Sequence, residues 1–318
     1  MGELKSNNSF GLYEYANANY GLLGLIIESV SGMSYEEYLK NNIFNPLEMS
    51  RSYASYSDEM RENLIPGHRN YFGFWVPGAP DYPKSIARGQ WTNIPAGYIA
   101  SSASDMGRYL QMYLREGEEI LQKSSIDKMF YENISEGNGT YYGMGWEYVE
   151  ISDREYVLQH AGLVENYAAF MYIYPDQNKA GIALINMNDY LVDNNYLGNI
   201  IVPLTGTNEG DKSDMYVIYH LLIDLILVVL LSVAVYPAVT IKQWKGKRHR
   251  IVVEIFRHFV LPAAILIIAQ FAAPFFVIWL FAKDVWIVLM FSTATLLIFG
   301  LIKLAIIIKN KRMEAKAI

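Results

Sequence analysis

Apolar and polar positions divide the chain into three kinds of stretch. Between Tyr20 and Val30, apolar residues at Leu22, Leu23, Leu25, Ile26, Ile27 and Val30 predict a largely buried helix. Gly32 suits its C-terminal cap. Ser34 followed three residues later by Glu37 is a capping-box pattern, predicting a second helix through about Asn41, and Pro46 ends that region. A further amphipathic helix is predicted over Met106–Arg115, with Ser102 and Asp105 in capping positions. A short helix over Ile126–Tyr131 is expected to take its cap from Ser124 or Ser125 with Asp127.

From Tyr141 the period changes. Residues 143–149 and 156–159 predict a strand pair around Asp153-Arg154. Two more strands, Tyr167–Tyr174 and Gly181–Met187, flank the turn signal Pro175-Asp176-Gln177-Asn178. Four strands with short links imply an antiparallel sheet, and Leu191–Leu204 is expected to be a helix packed on it. The order of helices, strands and helix predicts an α+β fold, an antiparallel sheet flanked by helices. Residues 51–100 are rich in Gly, Pro and aromatics (Tyr71, Phe72, Phe74, Trp75, Tyr82, Trp91, Tyr98) and predict a long loop region. Such aromatics could wall a substrate cleft or simply pack on one another.

Three later runs are long and apolar enough to span a bilayer: about Tyr216–Ile241, Phe259–Ala282 and Val285–Ile308. Lys283-Asp284 links the second and third. The expected division is therefore a globular domain over residues 1–209 and a transmembrane region over 210–318. Lys242, Lys245, Lys247, Arg248, Arg250 and Arg257 crowd the first connection; Lys309, Lys311, Arg312 and Lys316 crowd the tail. The excess of basic residues predicts that both are cytoplasmic. An odd number of spans then puts residues 1–214 outside the cell, as part of a multi-pass cell-membrane protein. Asp224, Gln270 and Lys303 lie within the spans. Lys303 is expected to snorkel to the cytoplasmic face, and Asp224 to be paired or locally solvated.

Charge follows the same division. Residues 1–214 hold 28 acidic and 14 basic side chains; residues 215–318 hold 4 and 12. An acidic soluble portion argues against nucleic acid as a partner. There is no cysteine, which excludes thiolate metal sites and a cysteine nucleophile. The five histidines form no paired ligand spacing, so no metal or other cofactor is expected.

Three short patterns carry candidate chemistry. Tyr15-Ala16-Asn17 puts a phenol and a carboxamide two residues apart at a loop-to-helix junction, where both can face one cleft. An ordinary capping loop is the plainer alternative. Ser125-Ile126-Asp127-Lys128 matches Ser-x-x-Lys, yet its serine reads as a helix cap. His160-Ala161-Gly162 closes the second strand, where Gly162 would let a ligand approach the strand edge. A histidine at a strand end is otherwise usually structural.

With its flanking segments YGLLGLIIESVSG and NPLEM, the Tyr15-Ala16-Asn17 stretch resembles the second active-site motif, Tyr-x-Asn, of the serine β-lactamase and penicillin-recognising hydrolase family. His160-Ala161-Gly162 resembles its third motif, Lys-Thr-Gly, found as His-x-Gly in many peptidase-like and esterase-like members. The resemblance implies a β-lactamase/transpeptidase-like fold followed by three transmembrane helices. It implies Tyr15 as base or proton shuttle, aided by nearby positive charge that lowers its pKa. Asn17 would bind the substrate amide and anchor the motif lysine, and His160, Ala161 and Gly162 would form the substrate-binding strand edge. Substrates would be peptidoglycan-type peptides, D-amino-acid peptides, esters or β-lactams, although a neutral His160 attracts a carboxylate less than Lys would.

The family's Ser-x-x-Lys nucleophile precedes Tyr-x-Asn by several tens of residues. Only 14 residues precede Tyr15, and Met1–Phe10 is polar, with no apolar core of an export signal. The expectation is a C-terminal piece of a longer membrane-anchored hydrolase, N-terminally incomplete in fold and inactive by itself. The alternative is a non-catalytic envelope sensor or binding module on a membrane anchor. Protein partners are not indicated.

Overall fold

A computed structural model of the chain describes residues 11–77, 94–117, 120–152, 155–188, 213–245 and 250–316. They fall into two compact units, one within Met1–His68 and Pro77–Asn188, the other built from Arg69–Val76 and Asp211–Ile318.

In the first unit, α1 runs from Asn17 to Ser31 and ends where Gly32 takes a left-handed conformation at φ 71°. The expected burial of this helix is not found. Only Gly21 and Gly24 are buried, while Leu22, Leu23, Leu25, Ile26 and Val30 remain exposed. The physical reason is the direction of its packing: Glu28 accepts from the Tyr35 amide at 2.8 Å, and the opposite apolar face has no cover among the described residues. The capping box at Ser34 is present, with Glu37 and Ser34 each accepting from the other's backbone amide. It starts α2, Tyr35–Leu39, which continues as a π-helical turn over Lys40–Phe44. A short α3, Asp58–Asn63, follows with Ser57 as its cap.

α4, Ala103–Leu114, begins three residues before the expected Met106, and the Ser102 hydroxyl caps it as expected by accepting from the Asp105 amide. The buried Asp105 carboxylate does not turn back to its own cap. It accepts from the Arg51 amide at 2.7 Å and from Ser52 at 2.9 Å, clamping that loop to the helix. α5 spans Lys123–Tyr131, beginning three residues earlier than expected. Gln122, not Ser124 or Ser125, is its N-terminal boundary, and no side chain caps it. Lys123, in the first turn, forms an exposed ion pair with Glu116.

Six strands form one antiparallel sheet in sequential order: β3 (Ile134–Gly137), β4 (Thr140–Tyr142), β5 (Glu147–Ser152), β6 (Glu155–Val164), β7 (Tyr167–Tyr174) and β8 (Lys179–Ile185). Earlier in the chain, β1 (His68–Tyr71) and β2 (Phe74–Pro77) form a separate hairpin. Four of the six were expected; β3 and β4 were not. The predicted turn at Pro175 is a 3-10 turn closed by Asn178 at φ 50°. Helices α4 and α5 cover the sheet, and the core between them joins Leu110, Tyr113, Ile126, Phe130, Trp146, Leu158 and Ile173. Fully burying an aliphatic side chain such as Leu158 contributes about 1.5–3 kcal/mol. The expected helix Leu191–Leu204 and the turn Asp153-Arg154 lie outside the described residues, as do Tyr82 and Trp91.

Among the described residues, the second unit contains three helices long and apolar enough to cross a membrane: His220–Trp244, Ile251–Ala272 and Lys283–Met313. The first lies within α6, Ser213–Lys245. The second starts about two turns before the predicted Phe259 and stops at Ala272 rather than Ala282. Its pieces are α7 (Ile251–Ile255), a π-helical turn over Phe256–Val260, and α8 (Leu261–Ala272). Pro274 cannot continue the ladder, so the chain breaks there, and the Gln270 side chain accepts from the Phe275 amide at 3.0 Å. A short α9, Phe275–Phe281, then leads into α10, Lys283–Lys316.

Lys303 departs from expectation. It is buried rather than snorkelled, 3.2 Å from Glu254 and 5.0 Å from the centre of the Trp244 ring. Trp244 also donates to Glu254 at 3.1 Å. The carboxylate and the aromatic face compensate the ammonium inside the bundle, which removes the need to reach water.

The candidate active site

The chain enters α1 from an extended segment. Ala16 sits at φ −144°, ψ 116°, and helical geometry starts at Asn17, so the two candidate side chains flank the point where the backbone changes direction. Tyr15 is half exposed, at 50%. Asn17 is exposed and its side chain does not cap the helix.

The sheet brings a second set of residues to Tyr15. In β4, Tyr142 pairs with Glu147 of β5, which pairs in turn with Gln159 of β6. The Tyr142 ring stands edge-on to Tyr15 at 6.1 Å and tilted to Tyr13 at 5.5 Å. Its hydroxyl shares a 2.5 Å hydrogen bond with that of Tyr20, one turn into α1. The ring of His160 lies 6.3 Å from that of Tyr142, tilted at 56°. Tyr142 therefore bridges Tyr15 and His160, which the sequence places far apart. Asn17 enters no described contact with this group.

β5 leaves part of β6 uncovered. Their last pair is Glu147 with Gln159, so among the described residues His160–Val164 pair with β7 alone. Ala161 and Gly162 lie opposite Phe170 and Ala169 on that side, and their other edge is open. A Cβ added at Gly162 would meet only the Ala169 Cβ, at an ordinary 3.8 Å. Packing inside the domain does not demand glycine there.

Electrostatics of the group are anionic. Burial pushes the Tyr15 phenol up from its ordinary value, reinforced by Tyr20 and Glu147. Burial, with a hydrogen bond to Glu136, pushes Tyr13 up to about 12. Tyr142 is pushed up further, by burial and its bond to Tyr20. His160 is pushed down by burial, against Glu147 and a hydrogen bond with the Gly145 backbone, and its Nδ1 is buried without a partner among the described residues. At neutral pH the phenols are protonated and His160 is neutral. Among the described residues, the Tyr20 phenol and the Glu147 carboxylate act on Tyr15, and no cation does. As it stands, Tyr15 can donate a hydrogen bond; acting as a base needs a positive charge brought beside it.

Tyr13, Tyr20, Tyr142, Glu136 and Glu147 were not among the sequence candidates. One available signal was Asn138-Gly139, the dipeptide of a tight hairpin, which predicts the β3–β4 pair and so the position of Tyr142. Ser125 makes no described contact with the group, and no cluster that could hold a metal occurs among the described residues.

A helix-covered antiparallel sheet, with Tyr-x-Asn at a helix start and His-x-Gly on a neighbouring strand, defines a protein of the β-lactamase/transpeptidase-like class. The family model described as Beta-lactamase matches residues 9–200, more than half of the chain, and the chain belongs to that family. Protein flp of Staphylococcus aureus (strain MRSA252) is 27% identical over 183 residues, covering 57% of this chain and 34% of the relative. Among solved structures, the octameric penicillin-binding protein homologue from Pyrococcus abyssi is similar over 62% of this chain and 43% of its own, with 31% identity and a TM-score of 0.51. The chain spans about a third of the length of the curated relatives it matches.

Proposed function

We propose that residues 1–209 form the substrate-binding side of a serine hydrolase site that works by acyl transfer, carried by a membrane region over 210–318. Tyr15 is the proton-transfer residue and Asn17 the ligand of the substrate amide. His160, Ala161 and Gly162 provide the strand edge along which an extended substrate pairs. The single observation that carries this reading is the open edge of β6 at His160–Val164, held next to Tyr15 through Tyr142. Substrates are peptidoglycan-type peptides, D-amino-acid peptides, esters or β-lactams. The neutral His160 and the neighbouring Glu147 favour amides and esters without a free carboxylate.

The attacking serine is not supplied by Ser125, whose helix packs Ile126 and Phe130 into the core. A Ser-x-x-Lys segment supplied to this site would bring both the nucleophile and, through its lysine, a cation beside Tyr15. The exposed apolar face of α1 supports packing of further polypeptide there. The basic residues around 242–257 and 309–316 support a cytoplasmic C-terminus and an extracytoplasmic hydrolase domain.

A second reading, a non-catalytic envelope sensor or binding module, is favoured by the protonated state of Tyr15. One experiment separates the two. The purified chain is exposed to a fluorescent penicillin and a fluorophosphonate, alone and with an added polypeptide bearing Ser-x-x-Lys. The chain alone should show no labelled serine, since losing a nucleophile costs on the order of 10⁶ in rate. Labelling that appears only with the added segment supports the hydrolase; ligand binding without labelling in both conditions supports the sensor. A labelled serine in the chain alone overturns the assignment of the nucleophile.

A further inference from the structure

A hairpin of β1 (His68–Tyr71) and β2 (Phe74–Pro77) turns at Phe72-Gly73, both at positive φ, 53° and 79°. Its residues Arg69–Val76 belong to the same compact unit as the membrane-length helices. Three observations fix it there. The Phe72 amide donates to the Asp284 carboxylate at 3.0 Å. The Asn70 side chain lies 3.1 Å from Nε2 of His220 and accepts from the Gly73 amide at 2.8 Å. Asp224 approaches Gly73, 3.8 Å from where a Cβ would stand. His220 and Asp224 are in the first turns of the first crossing helix, and Asp284 begins the third. All three mark one end of the bundle, opposite the end that holds Trp244 and Ile308.

Phe72 is a bulky residue in a left-handed conformation, which persists only where its surroundings impose it. Here Asp284 holds the amide, and the ring is turned out. Phe72, Phe74 and Val76 are exposed, Phe74 at 74%. The same end of the bundle carries Phe276 and Trp279, both exposed, with Lys283 5.6 Å from the centre of the Trp279 ring. Aromatic residues with a lysine at the end of membrane-spanning helices are the composition of the lipid headgroup zone.

We propose that the Arg69–Val76 hairpin is a lipid-interface anchor: Phe72, Phe74 and Val76 insert among the headgroups and upper acyl carbons of the leaflet at the Asp284 end of the bundle. Asp284 is its tether and sets its depth. The proposal rests on reading the three helices as membrane spans.

The absence of native cysteine allows a clean test. Phe74→Cys in the full chain is labelled with an environment-sensitive fluorophore and reconstituted into phosphatidylcholine–phosphatidylglycerol vesicles. Val229→Cys, within the first span, and Asp58→Cys, on α3, serve as lipid and water references. The label at 74 should be quenched by headgroup-proximal nitroxide lipid and be several-fold less accessible to aqueous iodide than the label at 58. Adding Asp284→Ala should restore iodide access. A label at 229 open to iodide would sink the span reading itself. A label at 229 in lipid with one at 74 in water overturns the anchor alone. Shielding of 74 from both quenchers overturns it too, in favour of a protein cover. An unchanged label in the Asp284→Ala chain overturns the tether.

Discussion

The ring of Tyr142 meets that of Tyr15 edge-on, with centroids 6.1 Å apart and planes at 89°. An edge-to-face contact of this kind orients the Tyr15 ring without bonding its hydroxyl. The Tyr142 hydroxyl is instead engaged with Tyr20. Tyr142 is thus a positioning residue, and its two functions can be separated. Tyr142→Phe keeps the ring contacts and loses the hydroxyl pair, and should cost about 1 kcal/mol. Tyr142→Ala also loses its aromatic neighbours, a further ~0.5–1.5 kcal/mol beyond the lost burial. Unfolding of the detergent-solubilised chain, followed by near-UV circular dichroism, measures both. Equal losses would show that the ring contacts contribute nothing.

Tyr15 should remain a neutral phenol well into the alkaline range. Burial disfavours the phenolate, and Tyr20 and Glu147 act in the same direction. A group whose folded pKa is raised adds stability that is complete below its unfolded value, here 10.0, and lost as pH rises through the folded value. The difference in phenolate absorbance between the wild-type chain and Tyr15→Phe should therefore emerge only above pH 10. A Tyr15 that ionises near neutral pH would mean that this chain already holds a cation beside it.

Much of the fold was legible because local chemistry and tertiary position agree. The Ser34–Glu37 box, the Gly32 cap and the Pro175–Asn178 turn are short-range devices, and each operates as expected. The β3–β4 hairpin escaped because Ile134–Gly137 has no alternating apolar face and is exposed throughout. Its signal was the turn itself, Asn138-Gly139, with both residues at positive φ. Local patterns singled out Tyr15 and His160 as candidates. Their contact through Tyr142 was not legible, since Tyr142 meets both only once β4 has paired with β5. Helical periodicity likewise showed that α1 is apolar but not which face is covered. Lys303 was misjudged because its partner, Glu254, sits 49 residues away on another helix.

His160 should make stability pH-dependent on the acid side. Burial lowers its pKa below the ordinary 6.5, so the unfolded chain takes up a proton before the folded chain does. Stability from the neutral ring is complete above pH 6.5 and falls as pH drops toward the folded value. His160→Gln, which cannot titrate, should flatten the stability profile just below pH 6.5 relative to the wild-type chain. Identical slopes for the two proteins would show that His160 is as easily protonated folded as unfolded.

The buried trio of Glu254, Lys303 and Trp244 makes the sharpest energetic prediction. Lys303 is 1% exposed and lies 3.2 Å from Glu254, and His258, with no exposure, lies 3.4 Å from the same carboxylate. Lys303→Met takes the neighbouring ammonium from Glu254; Glu254→Gln takes the carboxylate from the buried Lys303. Stranding one charge of a buried pair typically costs about 3–5 kcal/mol. Replacing both removes the stranded charge, so the double variant should be less damaged than the two single losses added together. Unfolding midpoints of the four proteins in one detergent give that coupling directly. Additive losses would mean that the two side chains act independently, with water or lipid headgroups reaching each of them inside the bundle.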